Sequence, residues 1–264
     1  MTKYNIGGVA ETMIQTLYAR AKESKKKNPK IYDEKAIEIV SKMDYDFSKA
    51  DKDFAMSSGV IARTILLDRM VKKYIEKHPA ATVINIACGM DTRFYRVDNG
   101  KIRWYNIDLP VTIDVRKQFL EENGRVKMLA KSAMDASWAD EIEKTNTSTL
   151  VVIEGLSMYL SEADIKTILS IIEKNFNKVT VLMEIMSPVV VKRIKEKSID
   201  ASNAKFTWGI KSGKELENYN DKFKFIKDVS LKEGMKEIYP VYKLLHKIKP
   251  IRNFSNKITI LMKK

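Results

Sequence analysis

The pattern of apolar and polar residues changes once along the chain, near residue 80. Before that point apolar residues recur at helical spacing and predict three helices, over residues 9–24, 34–43 and 53–77. Asp33 stands where an N-cap belongs for the second helix. In the third helix the residues expected to be buried form one stripe, made of Val60, Thr64, Leu67 and Val71.

Beyond residue 78, short β-branched runs alternate with helical stretches. The runs predict five buried strands, over residues 81–87, 102–108, 126–131, 149–155 and 179–185. Helical stretches are predicted over residues 110–124 and 161–176, and Ser161 with Asp164 resembles a capping box. This alternation predicts an α/β fold with a parallel sheet, helices on both faces, and a ligand site at the carboxyl ends of the strands.

The last third of the chain is less regular. A helix is predicted over residues 189–197, and strands are predicted over residues 223–231 and 256–263. No internal repeat and no clear linker interrupts the sequence. We therefore expect a single domain over residues 1–264.

Composition and charge narrow the class of protein. The chain has 264 residues, of which 44% are hydrophobic, enough for one sizeable core. The net charge of +14 raises the possibility of nucleic acid or a membrane surface as a partner, but the basic residues are spread along the whole chain. A generally basic surface, or an anionic substrate, explains the charge more simply. A lone cysteine, Cys88, and the lack of a signal sequence or long apolar run predict a cytoplasmic protein without a membrane span.

One glycine, Gly89, follows the first predicted strand in the segment NIACGMDTRFYR, residues 85–96. A glycine there lets backbone N–H groups approach a ligand closely. A dinucleotide loop needs further glycines to admit a pyrophosphate, so a nucleoside without phosphates suits this loop better. Asp91 and Arg93 either touch such a ligand or pair with each other to brace the loop, and the sequence leaves both interpretations open.

Acidic residues follow the next strands. Asp108 comes 108 − 89 = 19 positions after Gly89, a spacing typical of a carboxylate that accepts ribose hydroxyls. Asp135 either meets an adenine edge or caps a helix. Glu154 ends an apolar strand, where a cationic ligand group would offset the cost of its burial. Together these positions predict a site for an adenosine-like ligand with positive charge, and S-adenosylmethionine fits best.

The motifs IACGMDTRFYR, WYNIDLP, SAMD and IEGLSMYL, in this order and spacing, resemble the leucine carboxyl methyltransferase family. The closest resemblance is to its bacterial branch, the polyketide O-methyltransferases of the tetracenomycin type. One departure is that Ala87 stands where the first glycine of the family motif often lies.

The resemblance implies a class I methyltransferase fold, Rossmann-like, with a mostly parallel seven-stranded sheet and a final antiparallel strand. It implies a helical cap over residues 1–78, a cofactor-binding core over residues 79–186, and a substrate-cap insert with the final strands over residues 187–264. S-adenosylmethionine is the implied cofactor, and no metal is expected.

The resemblance also assigns cofactor-binding positions. Arg63 would hold the cofactor's carboxylate, Gly89 would lie under the methionine and ribose, and Asp108 would take the ribose hydroxyls. Asp135 would meet the adenine edge and Glu154 would lie near the methionine. Leu109 and Ala136 complete the implied set.

Methyl transfer from a sulfonium is an in-line displacement, so its main requirement is positioning. A carboxylate is already ionised at neutral pH, whereas a phenol or alcohol usually benefits from a base. Neither histidine is an obvious base, because His78 precedes the first strand and His246 lies late in the chain. The sequence therefore favours a small carboxylic acid as acceptor. Methylation of a hydroxyl is the alternative, with Glu154 and Tyr159 as the catalytic candidates.

Other classes of function fit less well. Enzymes that methylate amino groups of bases carry an Asn/Asp-Pro-Pro-aromatic loop after the fourth strand, and EGLSMY has no proline there. The missing glycines after Gly89 argue against a nicotinamide-dependent oxidoreductase. A non-catalytic cofactor-binding protein stays an alternative. The expected partner is a small-molecule acceptor, with neither nucleic acid nor membrane.

Overall fold

A computed structural model describes residues 9–144, 148–197, 206–242 and 255–264. The helices in these ranges are α1 Val9–Ser24, α2 Glu34–Lys42, α3 Ser48–Lys52, α4 Phe54–Lys77, α5 Arg93–Val97, α6 Pro110–Lys117, α7 Glu162–Asn175, α8 Pro188–Lys197 and α9 Lys232–Ile238. The strands are β1 Thr82–Ile86, β2 Arg103–Asp108, β3 Val126–Ala130, β4 Thr149–Ile153, β5 Val179–Ile185, β6 Phe223–Ser230 and β7 Lys257–Lys263. None of the helices described combines the length and the hydropathy needed to cross a bilayer.

The strands form one seven-stranded sheet in the order β3-β2-β1-β4-β5-β7-β6. β7 pairs antiparallel with both β5 and β6, and the other pairings are parallel, so β7 alone among these strands runs in the opposite direction. Ile86 pairs with both Ile107 and Ile153. The neighbouring strands β2, β1 and β4 therefore end level with one another, and the loops that follow them meet at one edge of the sheet.

Apolar side chains cover both faces of this sheet. On one face, Leu67 and Val71 of α4 pack in a cluster with strand residues such as Val152, and on the other, Ile168 of α7 packs with Val151. The whole predicted stripe of α4 is buried. A third cluster joins α1 and α2 to α6 and to the loop after β1. The N-terminal helices are thus anchored beside the edge where the central strands end.

Several local predictions are confirmed. The Asp33 side chain accepts a hydrogen bond from the N–H of Ala36, as an N-cap should, and Ser161 and Asp164 form a complete capping box. The helix predicted over residues 110–124 is wrong in length, because α6 ends at Lys117. The amide oxygen of Asn123 accepts from the N–H groups of Arg125 and Val126 and builds a turn into β3 instead.

Candidate active site

The loop after β1 bends through two residues with left-handed backbone conformation. Ala87 has a φ of 54° and Gly89 a φ of 47°. A Cβ at Gly89 would lie 3.1 Å from the Cβ of Met13 on α1, so this loop and the first helix approach closely. Glycine adopts such a φ freely, whereas alanine is strained there. The left-handed conformation at Ala87 is one that a glycine would adopt without strain.

Replacing Ala87 with glycine is expected to raise the free energy of unfolding by about 1 kcal/mol, because the left-handed strain is relieved. Urea denaturation followed by tryptophan fluorescence measures the change. Ala163 lies exposed on α7 and serves as the control. Its replacement by glycine should instead destabilise the protein by about 1 kcal/mol. A loss of stability in the Ala87→Gly variant would show that the loop is not strained.

Asp108 lies directly beside this loop, at the end of β2. Its Oδ2 accepts a hydrogen bond from the N–H of Gly89 at 2.8 Å, and its Oδ1 accepts one from the N–H of Leu109 at 2.7 Å. Burial raises the pKa of the Asp108 carboxyl above its ordinary value. No arginine or lysine of the described residues forms an ion pair with it. Gly89, Asp108 and Leu109 are thus brought together, and both carboxylate oxygens keep lone pairs for a ligand.

Arg63 lies between two carboxylates at the ends of the neighbouring strands β4 and β5. Its Nε is 2.6 Å from Oε1 of Glu154, and its Nη1 donates to Oε2 of Glu184 at 2.9 Å. Although the Nε is close to Glu154, its N–H is not directed at that oxygen, and this buried donor lacks a hydrogen-bond partner within the described residues. Arg63 and Glu154, both predicted site residues, are therefore in direct contact.

Glu184 pairs with Arg63 and is a candidate site residue that sequence reasoning missed. It is almost fully buried near the end of β5, where it also accepts hydrogen bonds from the N–H of Gly155 and from the side chain of Asn256. The signal was an acidic residue inside the apolar run VTVLMEI. This is the same pattern that identified Glu154 one strand earlier.

Arg93 binds three carboxylates and is only 1% exposed. Its partners are Asp68 at 2.8 Å, Asp91 at 2.6 Å and Glu154 at 2.6 Å. Asp91 and Arg93 therefore pair and brace the loop, which is one of the two interpretations the sequence left open. Burial alone would raise the pKa of the Glu154 carboxyl, but the charges of Arg63 and Arg93 hold it below its ordinary value.

Further ion pairs extend this cluster towards α1. Arg96 bridges Asp68 and Asp33, and Arg20 of α1 binds Asp33 and the carbonyl oxygen of Met90. We call the whole set the charge network, which consists of Arg20, Arg63, Arg93, Arg96, Asp33, Asp68, Asp91, Glu154 and Glu184. Its charges sum to 4 − 5 = −1. A ligand with a net positive charge would balance the network.

Tyr159 lies in a short 3-10 turn, Ser157–Tyr159, after β4. Its hydroxyl is hydrogen-bonded to Thr12 of α1, and its ring lies 5.1 Å from that of Phe206. Burial, together with the negative charge of Glu184, raises the pKa of Tyr159 above its ordinary value. The phenol therefore stays protonated at neutral pH and is suited to donate a hydrogen bond rather than to remove a proton.

Asp135 and Ala136 lie after β3, where they begin a short 3-10 turn. Both are exposed, and Asp135 caps the 3-10 turn Ala136–Asp140 by accepting a hydrogen bond from the N–H of Ser137 at 3.0 Å. The capping role considered for Asp135 is thus observed. A contact between these two residues and an adenine ring stays a prediction.

The remaining candidate groups contribute no reactive side chain to this site. Cys88 is buried, and burial raises the pKa of its thiol to about 12, so the thiol stays protonated. His78 caps the C-terminal end of α4, at the opposite edge of the sheet, and His246 lies outside the described residues. The part of the chain that is described holds no group of three or more histidine, cysteine or acidic side chains placed to bind a metal ion.

Comparison with known sequences links these motifs to one family. The sequence model described as leucine carboxyl methyltransferase matches residues 13–173. The chain is 32% identical over 216 residues to the tetracenomycin polyketide synthesis O-methyltransferase of Streptomyces glaucescens, covering 80% of this chain and 78% of that protein. It is 29% identical over 240 residues to an S-adenosyl-L-methionine-dependent methyltransferase of Gibberella zeae, covering 82% of this chain and 80% of that one.

Comparison of structures supports the fold class. A DUF574 family protein from Streptomyces avermitilis has a TM-score of 0.64 at 11% identity, covering 96% of this chain and 97% of that chain. Magnesium protoporphyrin IX methyltransferase from Synechocystis, solved with bound S-adenosylmethionine, has a TM-score of 0.52 at 8% identity, covering 90% of this chain and 100% of that one. The predicted fold class is thereby confirmed.

Proposed function

The chain belongs to the leucine carboxyl methyltransferase family, and we propose that it methylates the carboxylate of a small-molecule acid. It is an S-adenosylmethionine-dependent O-methyltransferase of small molecules. The proposal concerns the chemical class of the acceptor and the residues that act on it. The observation that carries the proposal is the ion pairing of Glu154, described above, since it removes the obvious base for a hydroxyl acceptor.

The residues at the strand ends fit S-adenosylmethionine. Arg63 is held at the strand ends by Glu154 and Glu184, and a guanidinium suits the cofactor's carboxylate. The net charge of −1 on the charge network suits a ligand with a sulfonium and an ammonium group. Asp108, with Gly89 and Leu109 beside it, suits the ribose hydroxyls, while Glu154 would lie near the methionine. Asp135 and Ala136 are assigned to the adenine edge by resemblance to the family.

Positioning is the main work of these residues during methyl transfer. S-adenosylmethionine, when bound, would supply an electrophilic methyl group to the acceptor oxygen, with S-adenosylhomocysteine as the leaving group opposite the oxygen. Glu154 is a weak base because Arg63 and Arg93 lower the pKa of its carboxyl, and Tyr159 is protonated because the pKa of its phenol is raised. Neither is suited to deprotonate a hydroxyl. A carboxylate acceptor needs no base, and Tyr159 can orient it by donating a hydrogen bond.

The basic composition supports an anionic acceptor as well, since a net charge of +14 attracts acids to the protein. We also propose a cytoplasmic location. The single cysteine, which is buried and unpaired, is compatible with a reducing compartment.

Calorimetry with S-adenosylmethionine and S-adenosylhomocysteine is the first test, and we expect both to bind with one-to-one stoichiometry. A methyl-transfer screen with labelled cofactor then compares small acids with phenols and alcohols of matched shape. A methyl ester releases its label as methanol in alkali, whereas a methyl ether keeps it. Failure of both cofactors to bind would overturn the cofactor site. Product label that resists alkali would overturn only the carboxylate proposal.

A further inference from the structure

A buried lysine, Lys232, lies at the same edge of the sheet as the candidate site. It begins α9, directly after β6, and the last residue of β6, Ser230, pairs with Lys257. Lys257 in turn pairs with Ile185 at the end of β5. Lys232 is therefore at the edge where the parallel strands end.

Hydrogen bonds link this position to Arg63. The N–H of Leu231, the neighbour of Lys232, donates to the carbonyl oxygen of Asn256, and the Asn256 side chain donates to Glu184, which binds Arg63. On the helix itself, a Cβ at Gly234 would lie 2.2 Å from the carbonyl oxygen of Ala62, the residue before Arg63. The start of α9 is thus fixed beside the part of α4 that carries Arg63.

Among the described residues, the ammonium group of Lys232 has neither a hydrogen-bond acceptor nor an ion-pair partner. Lys232 is 8% exposed, and its Nζ is buried without a hydrogen-bond acceptor among the described residues. No described carboxylate forms an ion pair with it, and desolvation lowers its pKa. Burying an unpaired cation is unfavourable. An anionic group of a ligand that paired with the ammonium would offset this cost.

We propose that Lys232 is a specificity-determining residue that binds the anionic group of the methyl acceptor. This inference rests on the proposed function, because it assumes an acidic acceptor. A carboxylate has two oxygens, so Lys232 can bind one of them while the other faces the methyl donor. No covalent step involves the lysine.

Binding of this kind also distinguishes substrate from product. Methylation converts the carboxylate to a neutral ester, and the ester no longer forms an ion pair with the ammonium. The acid should therefore bind more tightly than its methyl ester, by about tenfold or more, as expected for a hydrogen bond to a charged group. Replacing Lys232 with methionine should remove this preference and should raise KM for acids more than it lowers kcat.

Acetate is a suitable probe, because it carries the carboxylate and is small enough not to depend on the shape of the acceptor pocket. The complex with S-adenosylhomocysteine and the cofactor-free protein are heated in sodium acetate and, at equal ionic strength, in sodium chloride. Acetate should raise the Tm of the wild-type protein above its value in chloride, because a ligand that binds only the folded state stabilises it. The Lys232→Met variant should lose this acetate effect.

The matched control is Lys236→Met, one turn further along α9. The Nζ of Lys236 is already paired with both carboxylate oxygens of Glu233 at 2.9 Å, so this variant should keep the acetate effect. Without acetate, Lys232→Met should be at least as stable as the wild type, because an unpaired buried charge is removed. In protein with lysine labelled by ¹³C at Cε, the Lys232 signal should move with acetate and not with chloride.

An acetate effect that is absent in the wild type, or that persists in Lys232→Met, would overturn the proposal. These outcomes are separate from a failure of the proposed function, which the alkali test of the methylated product detects on its own. A lysine that is buried for purely structural reasons would show neither the Tm effect nor the signal shift.

Discussion

The Arg93→Met variant should have a free energy of unfolding lower than that of the wild type by about 3–5 kcal/mol, the usual cost of breaking a buried ion pair from one side. The reason is that Arg93 is the shared partner of Asp68, Asp91 and Glu154, and methionine leaves these carboxylates short of positive charge. Urea denaturation at neutral pH measures the loss. Arg93→Lys keeps the positive charge but not the several N–H donors of the guanidinium. Its free energy of unfolding should lie between those of Arg93→Met and the wild type.

The matched control for Arg93 is Arg125, which forms a two-point ion pair with Asp98 but is 35% exposed. Arg125→Met should cost less than about 1 kcal/mol, because solvent screens such pairs. Equal losses in the two arginine variants would contradict the interpretation that the charge network is a stabilising element.

Lowering the pH should reduce the difference in free energy of unfolding between the Arg93→Met variant and the wild type. Burial alone would raise the pKa of Asp91 and of Glu154, but the neighbouring arginines hold both below their ordinary values in the folded protein. A lowered carboxyl pKa contributes stability that is complete above the unfolded pKa, about 4, and is lost as the pH falls through the folded value. The difference in free energy of unfolding between the two proteins should therefore begin to shrink as the pH falls below about 4, and should vanish only below the folded pKa values.

The second large effect concerns cofactor affinity. Replacing Asp108 with alanine should weaken binding of S-adenosylhomocysteine by about 1.5–3 kcal/mol, which is roughly 10- to 150-fold in Kd, because hydrogen bonds from the ribose hydroxyls to a charged acceptor are lost. Calorimetry measures the change. Asp108→Asn removes the charge but keeps the shape and one acceptor oxygen, so it can keep only one of the two hydrogen bonds that Gly89 and Leu109 donate, and its affinity should lie between those of the wild type and Asp108→Ala.

Asp98→Ala is the control for Asp108. Asp98 also accepts a backbone hydrogen bond, from Gly100, but lies on a distant turn where it binds Arg125. We expect its replacement to leave cofactor affinity unchanged. If Asp108→Ala bound S-adenosylhomocysteine as tightly as the wild type and showed a normal thermal transition, Asp108 would not be the residue that binds the ribose.

Local features of the sequence predicted most of the fold. Strands, helix caps and the buried stripe of α4 depend on residues close together in the chain, and hydrophobic period and capping chemistry are readable at that range. α9 was missed for the opposite reason. It is seven residues long with Gly234 in its middle, and it is stabilised by packing against Ala62, which no local pattern reports. The division into cap, core and insert stays a prediction.

The candidate site was predictable as a set of positions but not as a set of contacts. Glu154 and Asp108 could be placed because strand ends meet at one edge of a parallel sheet, whereas Arg63 on α4 was placed by resemblance to the family. Their partners could not, since Arg63 and Glu184 are 121 residues apart and Arg93 reaches Glu154 across 61. Which carboxylate faces which arginine is decided by the packing of α4 and α5 on the sheet. The assignment of these residues to the cofactor stays a prediction.

The position of β7 between β5 and β6 has a consequence for synthesis on the ribosome. β6 is synthesised before β7, yet β7 is its single neighbour within the described sheet. The backbone of β6 therefore stays unpaired until β7 has been synthesised. At about 5–20 residues per second, the delay before β7 emerges is on the order of seconds. Lys224 and Lys227, both exposed, and the bulge between Phe225 and Lys227 discourage pairing with foreign strands. Features that protect the edge of the finished sheet therefore also protect the growing chain from aggregation.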